Sequence, residues 1–224
     1  VPSCSAEAHN QMLQADNLFS AGKSAEAIAQ MDAARQRNAA VLDGLAPGDA
    51  ARTAVVRLQF NLTHRVAGLS LRQTGAAYAA GLAMAEQNLP LARELAADPT
   101  VPNGRANLRD AQDFLSNRLL AAARADAALA ANAESLALSQ AMYADTPTGH
   151  NAVYVMTALS NRAEIQLHLR ELDAARATAL EALDLARRTH ESDPQDALFR
   201  ARYANVGRRT GLLLNQLGTP EAHR

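Results

Sequence analysis

Phe19-Ser20-Ala21-Gly22-Lys23-Ser24-Ala25-Glu26-Ala27, flanked by Ala15 and Ala34, is the stretch whose reading decides the fold. Gly22 separates two Ala-rich, helix-favouring segments, and glycine readily adopts the positive φ that ends a helix. The arrangement returns at Gly75-Ala76-Ala77-Tyr78-Ala79-Ala80, at Ala123-Arg124-Ala125-Asp126-Ala127-Ala128 and at Arg170-Glu171-Leu172-Asp173-Ala174-Ala175. The turn positions 22, 75, 123 and 170 step by 53, 48 and 47, and Gly218, opening Gly218-Thr219-Pro220-Glu221-Ala222, adds another 48. Seven residues before each turn stands a small residue: Ala15, Gly68, Ser116, Ala163 and Gly211. Seven after each closing alanine come Ala34, Gln87, Ser135 and Ala182, with Gln87 the exception. Antiparallel helices joined by a tight turn approach most closely near it, where small side chains let the backbones meet.

The prolines repeat this period. Pro47, Pro99 with Pro102, Pro147 and Pro194 step by 52, 48 and 47 from Pro47. A fixed period of helix, turn and helix implies stacked hairpins, because one hairpin cannot bury its apolar face alone. The pattern predicts first-of-pair helices over 5–21, 49–73, 104–122, 148–169 and 195–217, and second-of-pair helices over 24–43, 76–97, 125–143 and 172–191. Pro90 should kink or split its helix near Asn88. Asp49, Asn103 and Asp193 are candidate N-caps. The one strand-like run, Val153-Tyr154-Val155, lies inside a helical pattern. A second register competes locally: Leu115-Ser116-Asn117-Arg118 recurs as Leu159-Ser160-Asn161-Arg162, a step of 44.

Composition agrees. The 224 residues include 52 Ala and 31 Leu, the two residues at the top of the helix-propensity order. A charged fraction of 20% and a hydrophobic fraction of 48% argue for a folded chain. The formal net charge of −1 lacks the basic surplus of a nucleic-acid binder, although Arg200, Arg202, Arg208 and Arg209 cluster. The longest charge-free run, 146–161, has 16 residues and is too short to span a bilayer. One cysteine, Cys4, excludes an internal disulfide and a cysteine-based zinc site, and leaves the compartment undecided. The chain starts at Val1, without an apolar leader segment, and is expected to be a piece of a longer protein. Val1 to Cys4 reads as an irregular stub.

The small residues, the turn glycines and the prolines together resemble the tetratricopeptide repeat. Ala15, Gly22, Ala27 and Ala34 match that family's first-helix, turn and second-helix positions. Gly68, Gly75 and Ala80 match, as do Ala163, Ala175 and Ala182, though Arg170 replaces the turn glycine; the third repeat has Ser116 and Ser135. The repeat here is about 48 residues instead of the standard 34, so it resembles a long-repeat variant of bacterial regulatory type. The resemblance implies an all-α, right-handed superhelical solenoid of about four and a half hairpins. It forms a single array over 1–224, with repeats at 5–47, 48–100, 103–146 and 148–193 and a half repeat at 194–219. It also implies a concave groove lined by first-of-pair helices. Carried over by the turn register, the groove residues are Met12, Asp16 and Phe19; Arg65, Leu69 and Arg72; Asp113, Asn117 and Leu120; Ser160, Glu164, Leu167 and His168; and Arg208, Leu212 and Asn215. The family's lysine-and-asparagine clamp for chaperone C-termini is not reproduced.

Chemistry-bearing motifs are weak. Ala21-Gly22-Lys23-Ser24 ends like a phosphate-binding loop, but Asn17 stands where that motif needs glycine. No two histidines have the four-residue spacing of a helical zinc site; Glu164 and His168 have it, and read as a salt-bridge pair or groove contact. Asp110 and Asp113 read as a solvated first turn, and Met12, Met31, Met84, Met142 and Met156 as core filler. Gly-x-Ser-x-Gly is absent. The expectation is a non-enzymatic protein–protein interaction or scaffold module, without cofactor or metal, that binds a peptide or helix in its groove. The competing expectation is a ligand- or signal-peptide-sensing domain whose curvature changes on binding. Leu212, Leu213, Leu214 and Leu217 are expected to pack on the preceding hairpin or to pair with a second chain.

Overall fold

Residues 2–218, with their side chains from residue 10 onward, are described by a computed structural model. They form α1 (Pro2–Ser20), α2 (Ser24–Asp43), α3 (Arg52–Ser70), α4 (Ala76–Gln87), α5 (Leu89–Ala97), α6 (Gly104–Ala121), α7 (Ala125–Asp145), α8 (Gly149–His168), α9 (Leu172–Ser192) and α10 (Ala197–Gln216). No strand occurs among the described residues, and the class is the all-α helical-hairpin repeat expected from the period. Val153-Tyr154-Val155 lies within α8. The chain divides into two compact units, 1–111 and 112–224, with the boundary inside α6.

In the first unit α2 packs on α1 and α3, and α3 packs on α4 and α5. Met31, Leu62 and Val66 are fully buried there with Ala15, Ala27 and Ala34, and Met12, Phe19 and Met84 pack around them. In the second unit α8 packs on α7, α9 and α10, and α10 also packs on α9. Ala152, Val153, Met156 and Leu159 form its core with Ala182, Ala186 and Val206. Leu213 and Leu214 are buried on Ala163, Ala175 and Ala179, which places the C-terminal leucines on the preceding hairpin; Leu212 is exposed. Burying each such aliphatic side chain stabilises by about 1.5–3 kcal/mol.

Every turn position read from the period has a positive φ. Gly22, Gly75 and Gly218 have φ of 78°, 62° and 65°, and Ala123 and Arg170 adopt 58° and 63° without being glycine. At three of them the same pair of bonds closes the helix. Gly22 N–H donates to Phe19 O (3.0 Å) and Lys23 N–H to Leu18 O (2.9 Å). Ala123 and Arg124 repeat this on Leu120 and Leu119, and Arg170 and Glu171 on Leu167 and Gln166. This is the Schellman closure, which satisfies carbonyls that a helix end otherwise leaves bare.

The small residues sit at the crossings. Ala15 faces Ala27, Ser116 faces Ala128 through a hydroxyl bond to its carbonyl (2.9 Å), and Ala163 is buried with Ala175. In the second hairpin the pair is Ala67 and Gly81, not Gly68 and Ala80. A Cβ on Gly81 would stand 2.8 Å from Ser70 Cβ and 3.1 Å from Ala67 O, whereas one on Gly68 would meet nothing within 4 Å. Crossing residues are 12 positions apart in the other three hairpins and 14 in this one, so its connection is two residues longer. The shift moves the next buried position from Gln87 to Asn88 and accounts for the exception at Gln87.

The helix boundary between α4 and α5 falls at Asn88, as Pro90 at the start of α5 requires. The cap assignments change. Asp49 Oδ1 accepts Ala51 N–H (3.0 Å) in the turn before α3, whose N-cap is Ala51. Asn103 precedes α6 in the left-handed region (φ 62°), with only its carbonyl taking the first helical bond. Asp193 caps the turn before α10; Asp196 caps the helix, accepting from Leu198 and Phe199 N–H (2.7 and 3.0 Å). Thr148 caps α8 through Asn151 N–H. α1 begins at Pro2, ahead of the expected start; the side chains of Cys4 and His9, and the segment 219–224, lie outside the described residues.

Candidate partner-binding surface

Polar contacts line the first-of-pair helices within each unit's own frame. In the first unit the Arg65 guanidinium on α3 pairs with Asp16 on α1. Seven residues further along, just past the end of α3, the Arg72 guanidinium lies 5.0 Å from the centroid of the Phe19 ring, a cation–π contact. Leu69, between the two arginines in sequence, is buried in the core and contributes packing. Arg65 and Arg72 are both exposed, so half of this patch is open to a partner.

In the second unit a longer chain of bonds crosses three helices. Asn161 on α8 is buried; its Nδ2 donates to Asp113 Oδ1 on α6 (2.7 Å), and its Oδ1 accepts from Arg209 Nη2 on α10 (2.8 Å). Arg209 Nε donates to Glu164 Oε1 (2.8 Å). Asn117 Nδ2 donates to the Asp113 carbonyl (2.9 Å). Among the groove residues read from the sequence, Glu164 and Asn117 therefore belong to one network. Arg208 and Asn215 are exposed on α10. His168 is exposed and its Nδ1 meets the Glu164 main-chain carbonyl (2.9 Å), while the Glu164 carboxylate goes to Arg209, so the expected side-chain pair does not form. His168 also lines a cleft of about 380 Å³ with Leu167, Arg170, Leu172, Gln216 and Leu217. Asp113 is held by Asn161 and is more than a solvated first-turn carboxylate.

Asn161 and Arg209 were not among the groove residues read from sequence, though a signal for them existed. Asp16, Arg65, Asp113, Asn161 and Arg209 step by 49, 48, 48 and 48. The bonded pairs 113–161 and 161–209 are both 48 apart, so the competing 44-residue recurrence does not set the register. Its Ser116 bonds Ala128 O across the hairpin, and its Ser160 bonds Met156 O in its own helix.

A larger cleft, about 640 Å³, lies in the first unit between the segment 47–53 and α5. An ion pair of two bonds crosses it: Arg52 Nε to Glu94 Oε1 (2.7 Å) and Nη2 to Oε2 (3.1 Å), while Nη1 donates to Leu45 O (3.1 Å). At its edge the Asp98 carboxyl is held below the usual range, first by the hydroxyl and then by the amide of Thr100. These partners tie a connection to a helix. Among the described residues no cluster of three or more His, Cys, Asp or Glu could hold a metal ion, and no helix is long and apolar enough to cross a membrane. Lys23 of the loop-like Ala21-Gly22-Lys23-Ser24 pairs with Glu26 (3.4 Å) within the Schellman turn.

The fold is a TPR-like helical repeat. BtubC (BKLC) from P. vanneervenii is similar to this chain with a TM-score of 0.68 at 15% identity, over 98% of this chain and 76% of that one. The yeast histone chaperone Hif1, a scaffold protein recruiting protein complexes to core histones, is similar at 0.60 and 14% identity, over 94% and 96%. A kinesin-light-chain-like Podosopora anserina protein of nearly identical TPR-like repeats is similar at 0.58 and 13%, over 96% and 89%. At these identities the likeness is one of fold. No protein-family model matches the sequence, and no curated protein matches it.

Proposed function

We propose that the chain is a non-enzymatic protein–protein interaction module. It binds a peptide or helix on its first-of-pair helices as the partner-binding region of a bacterial signalling protein. The observation that carries this is the polar register itself. Arg65 with Asp16, and Asp113 with Asn161, Arg209 and Glu164, bring donors and acceptors from successive hairpins onto that set of helices. The exposed arginines in and beside these pairs, Arg65 and Arg72, suit an extended main chain or a carboxylate. Hif1, of the same fold, is a scaffold protein, which is in keeping with this reading. We further assign the repeats to 5–47, 48–100, 103–146 and 148–193, with a half repeat at 194–219, in a long-repeat array of bacterial regulatory type. Phe19, Arg65, Arg72, Asn117, Glu164, His168, Arg208 and Asn215 contact the partner, and Leu69 supports them from the core.

The test is photo-crosslinking from Arg72, with a probe at Glu181 on the second-of-pair helix α9 as control, followed by capture with Arg65→Glu/Arg72→Glu as bait. A protein crosslinked from position 72 only, and lost by the double variant, supports the reading. Crosslinks equal at both positions, or capture unchanged by the double variant, overturn it.

A further inference from the structure

α10 carries charge of one sign. The helix has Arg200, Arg202, Arg208 and Arg209 and no acidic residue, in a chain whose net charge is −1. Arg209 is turned onto Glu164 and Asn161; the other three form no ion pair among the described residues. The nearby carboxylates are committed elsewhere: Asp196 to the N–H groups of Leu198 and Phe199, and Asp193 to those of Gln195 and Asp196. Leu198 and Leu212 stand 39% and 54% exposed. They lie 14 residues apart, and with Arg202 and Asn205 they follow i, i+4, i+7, i+14 spacing, so all four share one side of the helix. Arg208 flanks that side. Leu198, Arg202, Asn205 and Leu212 are all exposed, and Arg209, on the same side, reaches back to Glu164 and Asn161 on α8.

We propose that this face docks an acidic amphipathic helix of a partner protein. The partner's apolar side seats on Leu198 and Leu212, and its carboxylates meet Arg202 and Arg208. Six residues of helix separate those two arginines, about 9 Å along the axis, so the partner's carboxylates fall just under two turns apart. Charge decides between occupants. A second copy presenting its own α10 would set Arg202 and Arg208 against the same two arginines, and like charges across an interface oppose association. A carboxylate-bearing helix neutralises them and covers the two leucines. The proposal rests on the chain being an interaction module and shares Arg208 and Leu212 with the groove read from the sequence, and the two still fail separately: Arg65 and Arg72 test the groove, and Arg202, outside it, tests this face.

The experiment is fluorescence anisotropy on the full chain with a stapled helical peptide of about 18 residues built from Leu and Glu, about five turns, enough to span both leucines. Its counterpart with Lys for Glu and an oligothymidylate of equal length run beside it. The acidic peptide is expected to bind and to weaken as NaCl rises from roughly 50 to 300 mM. Arg202→Glu alone should weaken it several-fold, and Arg202→Glu/Arg208→Glu about tenfold with a gain of affinity for the lysine peptide, while Arg187→Glu on α9 changes little. Leu212→Ala should weaken it several-fold. All these positions are exposed, and circular dichroism verifies each fold. The proposal is overturned if the acidic peptide does not bind, if the charge-reversed variant binds it equally, or if the lysine peptide or the oligothymidylate binds as tightly. A dimer in sedimentation velocity that Leu212→Glu dissolves would also overturn it, by giving the face to a second copy.

Discussion

At the scale of single residues, the turns separate backbone cost from contact. Gly22 has φ 78° and an added Cβ would meet nothing within 4 Å, so Gly22→Ala should lose only the left-handed penalty, about 1 kcal/mol. Ala123 and Arg170 already bear that penalty at φ 58° and 63°. Glycine there removes it but adds freedom to the unfolded chain, so Ala123→Gly and Arg170→Gly should stabilise by up to about 1 kcal/mol. Urea midpoints measure all three, and destabilisation by both glycine variants would contradict the assigned turn geometry. His64 makes a pH prediction. Burial lowers its pKa, Asp110 opposes this, and Arg65 adds to the lowering; the ring stacks on Phe60 at 6.0 Å. With the folded value below the unfolded one, the unfolded chain takes up the proton first as pH falls. His64 therefore favours the fold above its ordinary value of about 6.5, and that contribution declines below it until the folded group also protonates. Stability should drop from pH 7.5 to 5.5, and His64→Gln should flatten the slope; an unchanged slope would assign it to other histidines.

At the scale of elements, the second hairpin decides whether spacing or local composition governs packing. Gly81→Val pushes its side chain into Ser70 and the Ala67 carbonyl and should cost about 1–3 kcal/mol. Ala80 is exposed, and Ala80→Val should stay within about 0.5 kcal/mol of wild type in thermal melts. Equal losses at both would refute the two-residue longer connection. This is also where reading from sequence reached its limit. Gly22, Ala123, Arg170 and Gly218 were legible because each follows a helix end with an unusual φ, Gly75 because it opens α4 with one, and the prolines repeated the period. The crossing residues of α3 and α4 were not, because in an Ala-rich chain Gly68 beside Ala67, and Ala80 beside Gly81, are equally small. Only the length of the connection selects between them. The ladder was half legible for a related reason. Asp113 and Glu164 stood out as charges, whereas Asn161 was drawn into the 44-residue Leu-Ser-Asn-Arg recurrence and away from its true partners.

At the scale of the molecule, a net charge of −1 hides an uneven distribution. α3 and α10 carry seven arginines and no acid, and α7 carries Asp126, Glu134 and Asp145 and no base. Composition alone could not locate that surface, because sums over a repeat chain average helices with different neighbours. Stability should be distributed in the same local way. In the first unit α3 meets α1, α2, α4 and α5, and in the second α8 meets α7, α9 and α10, so each core is held by helices no more than two apart in sequence. Repeat arrays with such contacts behave as sums of local terms and need not unfold at once. Leu62 and Met156 are each buried at the centre of one unit, and either change to alanine should cost about 2–5 kcal/mol. Hydrogen exchange read helix by helix should then show Leu62→Ala accelerating α1 to α4 by tenfold or more, since about 1.4 kcal/mol is a factor of ten. Exchange in α8 and α9 should change far less, and Met156→Ala should reverse the pattern. If either substitution accelerated exchange evenly from α1 to α10, the chain would be opening as one cooperative body, and the two units would have no separate thermodynamic meaning.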